Sequence, residues 1–159
     1  MKATVVTVSD TRRIEDDRSG ARLVELVSAA GHPVTHAGIV PDDRERIVGK
    51  VVELLAGDVD LVIVTGGTGI APRDVTPEAV VPLFEKSIDG FGEEFRRRSI
   101  AQIGPRGMLS RAALGVAKGK LVGVLPGSTK AVELGAELLL AIAPHAIDLA
   151  RGKTAHGAP

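Results

Sequence analysis

Two periods of hydrophobic and polar positions alternate along this chain. The β-branched run Ala3 to Val8 predicts a strand, and Ser19-Gly20 then opens a stretch in which Leu23, Leu26 and Val27 recur at helical spacing until Gly31. The unit repeats: an apolar stretch ends at Ile39-Val40, and after Pro41-Asp42-Asp43 the positions Ile47, Val48, Val51, Leu54 and Leu55 mark a helix closed by Gly57. Leu61-Val62-Ile63-Val64 is apolar throughout and too short for a helix, the pattern of a parallel strand covered on both faces. Past Pro77 a short helix to about Phe84 and a longer one from Phe91 to about Ile103 are predicted. Ala112 to Val116 and Leu121 to Leu125, flanking Lys118-Gly119-Lys120, predict a hairpin. The last helix, Lys130 to about Arg151, contains Pro144, which is expected to kink it or split it in two.

Strands alternating with helices predict an α/β fold: three layers, doubly wound, with a mostly parallel sheet and one antiparallel strand. With no linker, repeat or low-complexity segment in 159 residues, a single domain over 1–159 is expected. Sheets of this kind bind ligands outside the carboxyl ends of their strands, so the loops after Val8, Val40, Val64 and Leu125 are expected to converge on one site.

Composition narrows the chemistry. Twenty basic residues balance twenty acidic ones, so no global field draws the chain to nucleic acid or an anionic membrane, and any anion must be met locally. The only aromatic residues are Phe84, Phe91 and Phe95, which leaves no platform for stacking single-stranded nucleic acid. The absence of cysteine removes disulfides, thiol nucleophiles and thiolate metal sites. Neither the N-terminal apolar run nor Leu134 to Ala143, which carries Glu137, is long enough for a signal peptide or a membrane span; a cytoplasmic location, with no nucleic-acid or membrane partner, is expected.

The most informative loop runs from Thr65 to Ala79. In Thr65-Gly66-Gly67-Thr68-Gly69 the glycines permit backbone N–H groups to face a phosphate, with the Thr65 and Thr68 hydroxyls as further donors, although three glycines also suit a plain tight turn. Thr76-Pro77 reads as a helix start, Thr as N-cap and Pro in the first turn. Asp74 beside a phosphate loop would repel the ligand unless a cation lay between them, and Mg²⁺ takes one or two carboxylate oxygens plus phosphate. Asp42 and Asp43 divide between a second metal carboxylate and a capping box with Glu45. Ser9-Asp10 offers a hydroxyl and a carboxylate, and Ser19 a helix cap. Arg111, after Ser110, offers a phosphate cation, and Gly127, in Pro126-Gly127-Ser128, a close approach for a base or ribose; each also reads as an ordinary turn or surface residue. Arg96-Arg97-Arg98 reads as a solvated helix face, and His32, His36, His145 and His156 form no ligand spacing. The dinucleotide, P-loop and nucleophile-elbow fingerprints are all missing.

Taken together, Thr65-Gly66-Gly67-Thr68-Gly69 and Arg73-Asp74-Val75-Thr76-Pro77-Glu78-Ala79 closely resemble the molybdopterin adenylyltransferase family, the MoaB/MogA type of molybdenum-cofactor biosynthesis protein. Val8-Ser9-Asp10, Asp17-x-Ser19-Gly20, Val40-Pro41-Asp42, Gly90-Phe91-Gly92-Glu93, Leu109-Ser110-Arg111 and Pro126-Gly127-Ser128 follow in the family's order, and Thr11-Arg12 is closer to the MoaB branch. The resemblance implies a MogA-like fold and Mg²⁺-dependent transfer of AMP from ATP to the terminal phosphate of molybdopterin, releasing pyrophosphate. It implies that Asp42 and Asp74 are catalytic and hold the metal. The glycine loop, Ser9, Asp10, Arg73, Glu78, Ser110 and Arg111 would line the pterin and phosphate side, and Pro126, Gly127 and Ser128 the nucleotide side. It further implies a homo-oligomer built on trimers and hand-over of product to the molybdate-insertion protein. Ile88-Asp89 departs from the family, which commonly has proline before the Gly-Phe-Gly-Glu element.

Three rivals share parts of this pattern. A related molybdate-insertion domain usually has Val-Ser where this chain has Thr68-Gly69, and the nucleotide pyrophosphatase domain of competence-inducible proteins typically has an acidic residue at the Arg73 position. A non-catalytic molybdopterin-binding or scaffold protein would keep the pocket alone.

Overall fold

The structure, a computed structural model, describes residues 1–153. Six strands form one sheet in the order β2-β1-β3-β6-β5-β4: β1 Ala3–Val8, β2 Val34–Val40, β3 Leu61–Thr65, β4 Lys86–Ser87, β5 Ala113–Ala117 and β6 Lys120–Leu125. β2, β1, β3 and β6 are parallel, and β5 alone runs against its neighbours, so the expected antiparallel strand is there. The β5–β6 connection is a two-residue turn in which Lys118 (φ 50°) and Gly119 (φ 68°) both take positive φ, the geometry that lets a tight turn follow the strand twist.

Alternation along β3 shows why its sequence is apolar throughout. Leu61 and Ile63 pack into the layer of α1 (Arg18–Ala29), α4 (Asp89–Ile103) and α5 (Thr129–Ala150), while Val62 and Val64 face the layer of α2 (Arg44–Ala56) and α3 (Thr76–Val80). One core joins Leu23, Val27, Phe95, Leu121 and Leu139; the other joins Ile47, Val51, Val80 and Val122. The three layers follow from this, because each sheet face hides an apolar stripe from a different set of helices. Among the described residues, no helix is long and apolar enough to cross a membrane.

Several expectations are corrected. Pro144 does not divide the last helix, which runs unbroken as α5 with Ala143 and Ile147 buried on its packed face. Packing of that face holds the helix together across the one backbone N–H that proline lacks. β4, two exposed residues paired to β5, escaped a reading based on hydrophobic runs, as did the 3₁₀ turns Ile14–Asp16 and Gly104–Leu109. Ser19 does not cap α1. Asp17 does, its Oδ1 accepting from the Gly20 N–H at 3.0 Å and from the Ser19 hydroxyl at 3.2 Å.

Asp17 is the centre of a buried polar group. Its Oδ2 accepts from the Thr7 hydroxyl and lies 2.9 Å from His36 Nε2, while His36 Nδ1 accepts from the Gly38 N–H at 3.1 Å. Burial pushes the Asp17 carboxyl up, but the bonds from Thr7, Gly20 and His36 outweigh it and hold the carboxyl below the usual carboxylate value. A depressed carboxyl stabilises the fold above the unfolded pKa and loses that contribution as pH falls through the folded one. Asp17→Asn should therefore cost about 2 kcal/mol near neutrality, the scale of buried bonds to a charged group. Thermal melts should show a deficit of roughly 4–8 °C at pH 7 that shrinks below about pH 4; a deficit constant down to pH 3 would contradict a charge-based role.

Candidate active site

The chain leaves β1 for β2 on one side and later returns to place β3 on the other, so the topological switch lies at the carboxyl ends of β1 and β3. A cleft of about 510 Å³ opens there. The loops after β1, β2, β3 and β6 meet in it, through Ser9, Asp42, the run Gly66 to Gly69, and Pro126 to Ser128, with Arg73, Asp74 and Ser110 alongside.

The glycine loop is built by close approach. Gly66 (φ 98°) and Gly67 (φ 62°) take the left-handed region, and a Cβ on Gly66 would run into the Val8 carbonyl oxygen. Gly66 donates to the Leu125 carbonyl at 3.0 Å and the Gly67 carbonyl accepts from Thr76 N–H at 3.0 Å, tying the loop to β6 and α3. A Cβ on Gly67 would press on the Thr76 hydroxyl and stand 2.8 Å from Asp42 Oδ1; one on Gly69 would stand 2.5 Å from Asp74 Oδ2. Both expected carboxylates therefore lie directly against the loop. Asp74 Oδ2 accepts from the Ala71 N–H at 3.0 Å.

Of the Asp42-Asp43 pair, Asp43 is the cap, accepting from the Arg46 N–H at 2.9 Å; with arginine at the third helical position the expected reciprocal capping box with Glu45 does not form, and Asp42 is left to the cleft. The Asp42 carboxyl is pushed above its usual value, first by burial and then by the Asp10 charge, with Asp74 adding and Arg73 opposing. Crowded carboxylates beside an anion-binding turn create a demand for positive charge. Asp42 and Asp74 could meet that demand by sharing a cation. Among the described residues no group of three or more His, Cys, Asp or Glu is arranged to hold a metal unaided. That donor set fits Mg²⁺, which takes few protein carboxylates and completes its shell with phosphate and water.

Four expected residues stand outside the lining of this cleft. Asp10 accepts from the Asp42 N–H at 2.9 Å, with Arg73 Nη1 4.0 Å away. The Thr65 hydroxyl, expected among the phosphate donors, instead donates to the Pro126 carbonyl at 3.1 Å. Glu78 is paired with Arg111, and Arg111 donates to the carbonyls of Thr68 (3.1 Å), Gly69 (2.6 Å) and Asp74 (2.9 Å). Arg111 thus buttresses the back of the loop, and its pairing with Glu78 holds the Glu78 carboxyl low against the opposing effect of burial. Ser9 lines the cleft, but its hydroxyl accepts from the N–H groups of Thr11 (3.3 Å) and Arg12 (3.2 Å).

Sequence reasoning missed two cations in the cleft, Arg12 and Arg106, and its apolar side, Phe95, Ile103 and Leu109. Arg12 donates to the Ser19 hydroxyl at 2.8 Å and to the Gly127 carbonyl at 3.4 Å, so the Asp17 group steadies it from behind. The signal available for it was position: Arg12 follows Ser9-Asp10 closely at the end of β1. Arg106 sits in the 3₁₀ turn Gly104–Leu109, which no hydrophobic period marks. Ser128 caps the long helix α5, accepting from the Ala131 N–H at 3.3 Å, and so aims its positive N-terminal end at the cleft.

Comparison with known proteins bears on the family and the fold. The family described as "Probable molybdopterin binding domain" matches residues 4–145. Molybdenum cofactor biosynthesis protein B of Staphylococcus aureus (strain MRSA252) is 47% identical over 143 residues, covering 88% of this chain and 85% of the relative. This chain belongs to the MoaB-type family of molybdenum cofactor biosynthesis proteins. Within that family, a crystal structure of molybdenum cofactor biosynthesis protein B superposes with a TM-score of 0.91 at 45% identity, covering 95% of this chain and 96% of the other. The tungsten cofactor synthesizing protein MoaB from Pyrococcus furiosus superposes at 0.86 with 37% identity, covering 94% and 96%. The α/β fold expected from the sequence is the fold of these family members.

A methyl group at position 67 tests the loop directly. Gly67→Ala places a Cβ at φ 62° against Thr76 and Asp42, at a backbone cost of about 1–2 kcal/mol. Titration calorimetry with inorganic pyrophosphate should show affinity about tenfold weaker, with a melting temperature lower by roughly 2–8 °C. Unchanged pyrophosphate affinity would remove the loop from anion recognition.

Proposed function

We propose that this protein catalyses Mg²⁺-dependent transfer of AMP from ATP to the terminal phosphate of molybdopterin, with release of pyrophosphate. The observation that carries the reading is the placement of Asp42 and Asp74 against a glycine turn, in a cleft that also holds Arg12, Arg73 and Arg106. Carboxylates repel phosphates, and this juxtaposition makes sense when a divalent cation lies between them. Membership of a molybdopterin-binding family supports the pterin as acceptor.

In this reaction a phosphate oxygen of the pterin attacks the α-phosphorus of ATP. A new P–O–P bond forms, the bond from the α-phosphorus to the bridging oxygen breaks, and pyrophosphate leaves with its electron pair. The attacking oxygen is already anionic near neutral pH, so no histidine is required as a base; alignment and charge neutralisation carry the rate. Mg²⁺ held by Asp42 and Asp74 would supply charge neutralisation at the transferring group. The chain's own contributions are the backbone turn at Gly66 to Gly69, which cradles phosphate oxygens, and the Arg cations, which offset charge building up on the leaving pyrophosphate. Ile103 and Leu109, backed by the buried Phe95 ring, provide the apolar wall on which a flat heterocycle can lie, while Gly127 allows close approach by the nucleotide.

Purified molybdopterin and Mg-ATP should yield adenylated pterin and pyrophosphate in equal amounts. Asp74→Asn keeps the shape of the side chain and removes its charge. The rate should fall by roughly 10²–10³, the scale of several kcal/mol of lost charge stabilisation. Pterin binding without adenylation by the wild type would move the reading to a binding or scaffold role, and hydrolysis of ADP-ribose without pterin would move it to a pyrophosphatase.

A further inference from the structure

Among the described residues, one buried side-chain polar atom has no hydrogen-bond partner: the hydroxyl oxygen of Thr76. A buried hydroxyl without a partner costs on the order of 1–3 kcal/mol, and its persistence calls for a physical reason. The sequence assigns Thr76 to capping α3, but Val75 occupies the cap position and the Thr76 side chain makes no capping bond. Its backbone is already engaged, the N–H donating to the Gly67 carbonyl at 3.0 Å, so the hydroxyl is the one group at this residue left over.

Its location supplies the reason. The Thr76 hydroxyl and Asp42 Oδ1 both border the space that a Cβ on Gly67 would fill, the carboxylate oxygen at 2.8 Å from that point. Thr76 is fully buried, so substrate cannot touch it; what it faces is the glycine turn and the carboxylate beside it. A hydroxyl suits a metal-binding carboxylate's neighbour because it donates a proton bond without adding charge, fixing one oxygen while the other remains available.

We propose that Thr76 is a positioning residue for Asp42, its hydroxyl donating to the Asp42 carboxylate when that carboxylate is engaged by a divalent cation. This inference rests on the metal-dependent reading of the site given above. Packing holds the hydroxyl in place, and among the described residues it is without an acceptor. Cation binding supplies one by fixing the carboxylate, so the cost of the orphan hydroxyl becomes part of the selectivity for the loaded state.

The test compares Thr76→Val, which keeps the shape and removes the hydroxyl, with Thr76→Ser, which keeps the hydroxyl. Mn²⁺ alone is titrated into the full-length protein and followed by electron paramagnetic resonance, alongside melting temperature and the Mg²⁺ dependence of adenylation. The expected result for Thr76→Val is Mn²⁺ affinity about tenfold weaker, an apparent KM for Mg²⁺ raised to match, and a melting temperature equal to or above the wild type. Thr76→Ser should stay within about twofold of the wild type in metal affinity. Wild-type turnover with Mn²⁺ affinity unchanged in Thr76→Val overturns the role of Thr76 alone. A melting temperature that falls in Thr76→Val also overturns it, because the hydroxyl would then have a structural partner. Wild-type protein that neither binds Mn²⁺ nor forms adenylated pterin overturns the reading of the site together with this one.

Discussion

Contact between Gly66 and the Val8 carbonyl is the constraint on which the site depends. β1 and β3 are neighbours in register from Ala3 and Leu61 to Thr7 and Thr65, so the chains leaving them emerge side by side. Only a residue without Cβ can turn there, and it must do so at positive φ. Once the turn is fixed, its second glycine rests against Asp42 and Thr76, its last against Asp74, and Gly127 of the β6 loop approaches the Gly66 Cα closely enough that a Cβ would stand 3.2 Å from it. The end of β1 and the loops after β2 and β6 are thus packed around one backbone turn of the β3 loop.

What surrounds that turn is a layered set of supports. Asp10 links the β1 and β2 loops through the Asp42 N–H, and Arg12 links the β1 loop to Gly127 and, through Ser19, to the Asp17 cap of α1. The buried Thr7–Asp17–His36 group therefore reaches the cleft by way of a single arginine. Its carboxylate is stabilised by donors from β1, β2 and the first turn of α1, so the end of the sheet and the start of a helix are held as a unit.

How much of this was legible in the sequence differs by the kind of signal. β3 was plain because an apolar run too short for a helix reads as a doubly covered strand, and the cleft followed from the alternation of strands with helices and the carboxyl ends of four strands. β4 was not, because two exposed residues have no period to read. Asp42 and Asp43 were visible as a pair, but which one caps α2 depends on where the backbone leaves the extended region, and that is set by tertiary contact with Asp10. Arg12 and Arg106 were silent for a related reason: a lone arginine in a loop carries no periodicity, and its direction is decided by partners more than a hundred residues away, as with Gly127, or by an irregular turn. His36 looked bland by ligand spacing, and its partners, Thr7 and Asp17, are brought to it only by the sheet.

Arg111 shows how a residue type can be right and its job different. A guanidinium near a glycine loop suggests a phosphate clamp, yet its Nε donates to Thr68, Nη1 to Glu78, and Nη2 to Gly69 and Asp74, leaving one N–H of five. A trans peptide points its C=O and the following N–H in opposite directions. By drawing the Thr68 and Gly69 carbonyls toward itself, Arg111 turns the N–H groups of Gly69 and Ile70 away from itself. Its charge is directed to orienting those peptide dipoles, which is a stiffer arrangement than a free side chain. The glycines give the loop freedom to take its shape, and Arg111, with Glu78 behind it, removes that freedom once the shape is reached.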